Sequence, residues 1–362
     1  MNKRQRIANI DQLRGIAALS VVLAHFAAYS FINNSNIPTN SYIEVFLKNI
    51  LVGEYVNFGR FGVILFFIIS GYVIPFSFPA RNPIRGFIIS RLFRLYPLFW
   101  ASLTAALIVR FYAGHHVSIY DIFANITMIP DLLLSHRILD VYWTLAYEII
   151  FYTIVAAIYA LFGPLNLATA RQGALFCASV SIAISMAQIF GQTIAGGDKI
   201  ILISFMFLGS VIRKNQINLN RIFDIWLFLV ITTIIIGIIL RGYIHYVIFV
   251  YGNDVRFENF NSIIATHCLA IFIFIGALSW FDKFNSPFLI YMGYISYSLY
   301  ITHPILMEIF SILNFDQIMI RNGLYIPILF TSTIALSAIT YHFIERPFIR
   351  MGKSMNKSIA NA

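Results

Sequence analysis

The sequence predicts an all-α protein, a polytopic transmembrane bundle of about ten helices with both termini in the cytoplasm. Its composition is the first reason, because 59% of the 362 residues are hydrophobic and only 11% are charged. A soluble domain carries about a quarter of charged residues, so this chain could not cover a water-exposed surface. The second reason is that apolar runs of about 20 residues, long enough to cross a ~30 Å hydrocarbon core, recur along the chain.

The apolar runs define the predicted membrane spans. In chain order they cover 10–30, 61–79, 92–113, 141–162, 172–192, 199–213, 222–240, 262–281, 288–313 and 323–345. The charged residues at 1–6 are similar to the start of a signal peptide. However, Asp11, Arg14 and His25 interrupt the apolar run that follows, so we expect a retained first helix.

The distribution of positive charge predicts the sidedness. With the N-terminus in the cytoplasm, sixteen lysines and arginines fall on the inside and eight on the outside. This excess follows the positive-inside rule and predicts a multi-pass protein of the cell inner (plasma) membrane. The net charge of +10 lies in short loops between spans, which argues against nucleic acid as a partner. Membrane lipids are the partners that every span implies.

No repeat or linker divides the chain, so we expect a single domain over 1–362. The longest outside segments are 31–60, 114–140 and 241–261. Long polar loops on one face of a helical scaffold are suited to hold a bulky acceptor.

Ionisable residues within the spans are the strongest indication of a site, because a charge in the bilayer costs several kcal/mol. At a rise of ~1.5 Å per residue, His25 and His303 each lie roughly 22 Å from the cytoplasmic edge. Glu148 enters from outside and lies roughly 10 Å below the outer edge, at the same level. Arg14 shares a helical face with His25, because eleven residues are about three turns.

Arg91 and Arg94 lie one turn apart at the predicted start of the third span, and paired guanidiniums suit phosphate binding. Purely structural interpretations of these residues stay open at this point. The arginine pair could be a topology signal only, and either histidine could simply hydrogen-bond a neighbour. Glu148 could merely neutralise an arginine such as Arg110.

Metal binding is not indicated, because the adjacent His115 and His116 would point apart on a helix and no third ligand is near. The two cysteines, Cys177 and Cys268, fall inside apolar spans and suggest neither a disulfide framework nor a zinc site.

Six sequence motifs, in order over residues 10–348, resemble those of acyltransferase family 3, a family of integral-membrane O-acyltransferases. They are Ile10-Asp-Gln-Leu-Arg-Gly15 followed by His25, Phe66-Phe-Ile-Ile-Ser-Gly-Tyr72, Arg91-Leu-Phe-Arg-Leu-Tyr-Pro97, Tyr142-Trp-Thr-Leu-Ala-Tyr-Glu-Ile-Ile-Phe-Tyr152, Ile295-Ser-Tyr-Ser-Leu-Tyr-Ile-Thr-His-Pro304 and Phe343-Ile-Glu-Arg-Pro-Phe348. No such motif is found in 163–285.

The resemblance implies roles for particular residues. The histidine matching His25 is regarded as catalytic, and the pair matching Arg91 and Arg94 is implicated in binding the acyl donor. The residue matching Arg14 is also functionally important, and we place it with the donor-binding pair. Further motif residues are expected to support the site; they are Asp11, Ser70, Gly71, Trp143, His303 and Glu345.

The function that this resemblance implies is transfer of an acyl group, most simply acetyl, from cytoplasmic acyl-CoA to a carbohydrate or lipid-linked glycan. Acyl-CoA is a co-substrate here, and no permanently bound cofactor is expected. We expect the donor arm to pass Arg14 and the small pair Ser70-Gly71. His25 would act as the general base. Either Glu148, as a catalytic partner, or His303 would hold the His25 imidazole in the required tautomer.

Two other classes of function remain as alternatives. Buried His, Glu and Arg also fit a proton-coupled secondary transporter, although no twofold internal similarity is visible. A non-catalytic membrane scaffold or receptor would leave the ionisable residues without a purpose.

Overall fold

The computed structural model describes residues 3–33, 51–53, 55–192, 196–244, 259–279 and 285–361. These residues form helices joined by short turns and contain no β-strand. The helices are α1 (Lys3–Asn33), α2 (Phe58–Val73), α3 (Pro83–Tyr112), α4 (Ile119–Ile126), α5 (Trp143–Phe162), α6 (Leu167–Ile189), α7 (Gly197–Asn218), α8 (Ile225–Tyr243), α9 (Phe260–Ser279), α10 (Pro287–Tyr294), α11 (Ser296–Ile312), α12 (Phe315–Arg321), α13 (Tyr325–Thr340) and α14 (Arg346–Asn361).

The predicted all-α polytopic bundle is confirmed. Within the described ranges, nine helical segments are long and apolar enough to cross a membrane, and they correspond to nine of the ten predicted spans. The remaining one, predicted at 288–313, is two shorter helices, α10 and α11, that meet at Ile295. The break follows Gly293, which lies so close to α1 that a Cβ there would be 1.9 Å from the Asp11 carbonyl oxygen.

The predicted start of the third span was wrong by nine residues. Helix α3 begins at Pro83, a residue favoured in the first helical turn because it needs no amide donor. Arg85, Arg91 and Arg94 had limited the apolar run that the sequence showed. Consequently, the Arg91–Arg94 pair lies in the third turn of α3 and not at its start.

The chain divides into two compact units, each made of separate chain segments. Unit 1 contains residues 1–28, 37–76 and 164–293, and unit 2 contains 29–36, 77–163 and 294–362. The single domain and the cytoplasmic position of both termini stay predictions.

Unit 1 is held by close helix packing around α2. A Cβ on Gly71 of α2 would be 1.5 Å from the Met206 carbonyl oxygen of α7, and one on Gly209 of α7 would be 2.0 Å from Ile68 O. The Ser210 hydroxyl donates to the Gly71 carbonyl oxygen at 2.8 Å. Lipid chains are as apolar as the helices, so the hydrophobic effect does not drive helices together within a bilayer. Their association depends instead on the close packing that small residues allow and on hydrogen bonds between helices.

Unit 2 is organised around α3, which contacts α5, α11 and α14. Helix α14 runs antiparallel to the first half of α3. Its Asn356 side chain donates to the Gly86 carbonyl oxygen at 2.9 Å, and Gly352 lies against Phe93. A π-helical turn, Tyr341–Glu345, joins α13 to α14, so that the last membrane-spanning helix continues to the end of the described chain.

We predict that Gly71→Ala lowers the thermal unfolding temperature of the purified protein, because the added methyl group would meet α7 backbone that cannot move alone. Overpacking of this kind costs about 1–3 kcal/mol or more. Gly242→Ala is the control, since its Cβ would meet only the movable Phe260 ring at 3.1 Å. Equal unfolding temperatures for the two variants would contradict the packing role.

Candidate functional site

The first motif places a charge-compensated arginine and a histidine on α1 in unit 1. Arg14 Nη1 donates to Asp11 Oδ1 at 3.3 Å within one turn, and both side chains are largely shielded from solvent. His25 is half-buried three turns further on. Fully buried Ala18 and Val21 occupy the helix surface between the arginine and the histidine. Asp11 therefore compensates the charge of Arg14, and its role in a functional site stays a prediction.

The Ser70-Gly71 pair has a packing role that the sequence did not predict. Ser70 is buried, and the space beside Gly71 is filled by the backbone of α7. A substrate arm therefore could not pass Gly71 on the side of α2 that faces α7.

The two arginines of the third motif differ in their surroundings. Arg91 donates from Nη2 to Ser77 Oγ at 2.8 Å, and its guanidinium lies over the rings of Phe87 and Tyr152 at 5.3 and 5.5 Å. Arg94 is half-buried and has no hydrogen bond or ion pair with any residue in the described ranges. Arg94 is thus the arginine of the pair whose donors are available to a ligand.

Glu148 lies one turn before Tyr152 on α5 and interacts electrostatically with Arg91. The suggested alternative partner was wrong, because Arg110 instead pairs with Glu308 at 3.3 Å. Glu148 therefore reduces the positive charge around the arginine pair. This leaves a catalytic contribution of Glu148 as a prediction.

His303 is completely buried in α11. Its Nδ1 lies 3.1 Å from the Leu299 carbonyl oxygen, one turn earlier. A carbonyl oxygen only accepts, so Nδ1 carries a proton. The geometry agrees with the structural interpretation, in which this histidine hydrogen-bonds a neighbouring backbone group. The same bond keeps the proton on Nδ1.

Four of the six motifs are joined by hydrogen bonds within unit 2. The Tyr297 hydroxyl donates to the Leu95 carbonyl oxygen at 2.8 Å, which links the fifth motif to the third. The Tyr300 hydroxyl is 2.7 Å from the Thr144 hydroxyl, which links the fifth to the fourth. Ser298 donates to Glu345 at 2.9 Å, which links the fifth to the sixth.

One of these bonds involves a residue that the sequence predicted to support the site. Glu345 is buried in the π-helical turn, where it accepts the Ser298 hydroxyl. Such turns are frequent at functional positions. Trp143 begins α5 and its ring lies 6.0 Å from the Tyr147 ring.

The ionisable residues of the predicted spans that the sequence analysis did not single out include two that are buried or ion-paired. Glu308 forms the ion pair with Arg110, and His267 of α9 is buried with Nδ1 2.7 Å from the Ile263 carbonyl oxygen. Glu148 and His303 were singled out because they are titratable side chains in apolar spans. The same criterion would also have found Glu308 and His267.

The predicted site residues are divided between the units. Asp11, Arg14, His25, Ser70 and Gly71 belong to unit 1. Those of unit 2 are Arg91, Arg94, Trp143, Glu148, His303 and Glu345. The convergence of His25, Glu148 and His303 in one layer stays a prediction from helix rise.

Of the predicted outside segments, 114–140 is fully described, whereas most of 31–60 and 241–261 lies outside the described residues. Asp121 organises this loop by accepting the hydroxyls of Ser118 and Ser135, both at 2.6 Å, and the His136 amide at 3.1 Å. These donors lower the pKa of Asp121 to about 2, with Ser118 the largest contributor. A segment held in this way can present a defined surface to an acceptor.

Comparison with known proteins agrees with this chemistry. The family model of an acyltransferase domain, acyltransferase 3, matches residues 7–342. A protein of Acidianus two-tailed virus named as a candidate acetyltransferase, ORF330, is 28% identical over 153 residues, which are 42% of this chain and 41% of the viral protein. No solved structure matches the chain significantly.

The described helices therefore define the protein as a polytopic α-helical membrane protein. It belongs to the acyltransferase 3 family, as its motifs indicated. The family assignment favours the enzyme over the transporter and scaffold alternatives. The chain spans less than half the length of the viral relative that it matches.

We predict that hydrogen-exchange protection of the Asp121 and His136 amides is lost as the pH falls from about 4 towards 2. The folded-state pKa lies below the unfolded value of about 3.9, so the stabilisation is complete above pH 4 and disappears on protonation. Asp121→Asn should lack this protection at every pH. Asp140→Asn, which changes an exposed carboxylate in the same loop, should behave as wild type; a similar loss there would refute the role of Asp121.

Proposed function

We propose that this acyltransferase moves an acetyl group from acyl-CoA, on the cytoplasmic face of a bacterial inner membrane, to a hydroxyl of a carbohydrate or lipid-linked glycan. The choice of acetyl is supported by the viral relative, which is named for that activity. The observation that carries the donor assignment is the availability of the Arg94 guanidinium. Guanidiniums bind phosphates through paired hydrogen bonds, and the nucleotide end of acyl-CoA carries several phosphates.

The level of Arg94 along α3 supports contact with a water-soluble donor. Helix α14 lies alongside residues 82–93 and carries Arg346, Arg350, Lys353 and Lys357 as exposed side chains. Exposed charges are costly in hydrocarbon, so this level of unit 2 lies at the headgroups or beyond. Arg91 is hydrogen-bonded to Ser77, and its guanidinium lies over two aromatic rings. It therefore attracts the donor phosphates by its positive charge rather than by direct hydrogen bonds.

His25 is the general base of the proposed reaction. It accepts the proton of the acceptor hydroxyl, whose oxygen forms a bond to the thioester carbonyl carbon. The carbon–sulfur bond then breaks, and the departing coenzyme A thiolate receives the proton from the imidazole. Histidine suits both transfers, since its unperturbed pKa of about 6.5 is near neutrality. The products are the acetyl ester and coenzyme A.

The ordered loop 114–140 is our candidate for acceptor contact. Its internal hydrogen bonds to Asp121 and an ion pair between Arg137 and Asp131 at 2.7 Å support a fixed shape. Preorganised polar loops bind ligands with a smaller loss of conformational entropy.

We expect Arg94→Ala to raise the apparent KM for acetyl-CoA about tenfold or more, since a charge-assisted hydrogen bond contributes roughly 1.5–3 kcal/mol. The effect on kcat should be small. Arg85→Ala removes an exposed arginine from the same helix and should leave KM unchanged. Steady-state kinetics at equal protein amount measure both. An unaltered KM in Arg94→Ala would show that the arginine is a topology signal.

Replacing His25 by Ala or Gln should abolish acyl transfer while the protein remains folded and binds donor. General-base catalysis contributes about 10²–10⁴-fold, so a loss below tenfold would be too small for this role. The assay follows the radiolabelled acetyl group from acetyl-CoA into acceptor in membranes, normalised to protein amount. His116→Ala, an exposed histidine in the outside loop, provides the control. Substantial activity in His25→Ala would reject the mechanism and direct attention to His303.

A further inference from the structure

A cavity of about 190 Å³ lies between α3 and α5 in unit 2, and it shares Arg91 with the donor region described above. Phe87, Arg91 and Tyr152 line its inner part. Ile88, Leu92 and Thr153, all exposed, form its rim. Since both helices are membrane-spanning segments, a rim of this kind opens towards lipid.

The cavity contains an incompletely satisfied cation. Arg91 Nη2 donates to Ser77 and the guanidinium also interacts with the Tyr152 hydroxyl, whereas the buried Nε has no hydrogen-bond acceptor among the described residues. Arg91 also interacts with a second cation, Arg94, and with one carboxylate, Glu148. A bound anion would interact favourably with this pair of guanidiniums.

The depth of the cavity relative to the membrane surface indicates which kind of anion it can bind. Arg91 lies between Ser90, which contacts Asn356, and Phe93, which contacts Gly352. The neighbouring Lys353 and Lys357 of α14 are exposed and are strongly disfavoured in hydrocarbon. The guanidinium is therefore at the level where lipid phosphates lie, while Leu92 and Thr153 continue the rim along the helices.

From these observations we infer that the cavity binds an anionic phospholipid, with the phosphate at Arg91 and an acyl chain across the exposed rim. An apolar cavity of about 150 Å³ holds a benzene molecule, so 190 Å³ accommodates part of a lipid headgroup or the first carbons of its chains. The inference does not depend on the acceptor or on the acyl group transferred. It assigns the membrane-facing side of Arg91 to lipid and leaves Arg94 for the donor.

The test compares the thermal unfolding of the purified full-length protein in detergent with added phosphatidylglycerol or phosphatidylcholine. A ligand that binds only the folded state raises the unfolding temperature, here by about 3 °C or more near saturation. We expect this shift with phosphatidylglycerol and a clearly smaller one with phosphatidylcholine. Equal shifts with the two lipids would overturn the proposal.

Two matched variants locate the effect. Thr153→Trp should fill the cavity mouth and remove the phosphatidylglycerol shift, whereas Thr104→Trp should retain it. Each threonine is exposed on a spanning helix and donates to the carbonyl oxygen four residues earlier, at 3.0 and 2.9 Å. If Thr153→Trp does not fold, Leu92→Trp closes the same rim from α3. A full shift in a folded cavity variant would refute the site.

A further experiment distinguishes binding of a lipid from binding of a water-soluble phosphate. Inorganic phosphate and adenosine 3′,5′-bisphosphate are added in place of lipid, at concentrations up to millimolar. Our expectation is that neither reproduces a shift that Thr153→Trp abolishes. If either does, the cavity binds a soluble phosphate and the lipid assignment fails, while the donor role of Arg94 is still tested separately by its KM.

Discussion

Compensation of charge among membrane-spanning helices is the constraint on which the arrangement of both units depends. A lone charged side chain in a bilayer costs several kcal/mol, so each buried ionisable group needs a partner in a fixed position. Asp11 compensates Arg14 within one turn of α1. Glu308 compensates Arg110 between two helices of unit 2. Arg171 is paired with Asp224 in unit 1. The last two pairs join different parts of the chain and limit how their helices can rotate, because rotation would separate the charges.

The arginine pair on α3 departs from this balance. Arg91 has aromatic rings, one hydroxyl and the nearby carboxylate of Glu148, whereas Arg94 has no ion-pair partner in the described part of the chain. Guanidiniums of this kind attract anions through charge-assisted hydrogen bonds. The two ligands that we propose for the pair, an acyl donor at Arg94 and a phospholipid at Arg91, are both anionic.

Neutral hydrogen bonds fix the geometry around these charges. Tyr297, Ser298 and Tyr300 are consecutive or nearly consecutive on α11, yet each bonds to a different motif. One helix thereby sets the positions of α3, α5 and the π-helical turn. Hydroxyl partners suit this purpose, because they satisfy buried polar atoms without adding charge. Unit 1 uses direct backbone contact instead, through Gly71 and Gly209.

The sequence by itself determined the class of fold, the order of the spans and the residues of the family motifs. Apolar length and charge distribution are local properties of the chain, so these features could be predicted without tertiary contacts. Helix limits were less accurate where charges lie inside helices: the start of α3 was placed nine residues late, and the break at Ile295 was missed. Only the tertiary structure paired Arg110 with Glu308, filled the space beside Gly71 with α7 and, among the described residues, gave Arg94 no hydrogen-bond or ion-pair partner. These outcomes depend on which side chains from distant segments meet, and linear spacing does not contain that information.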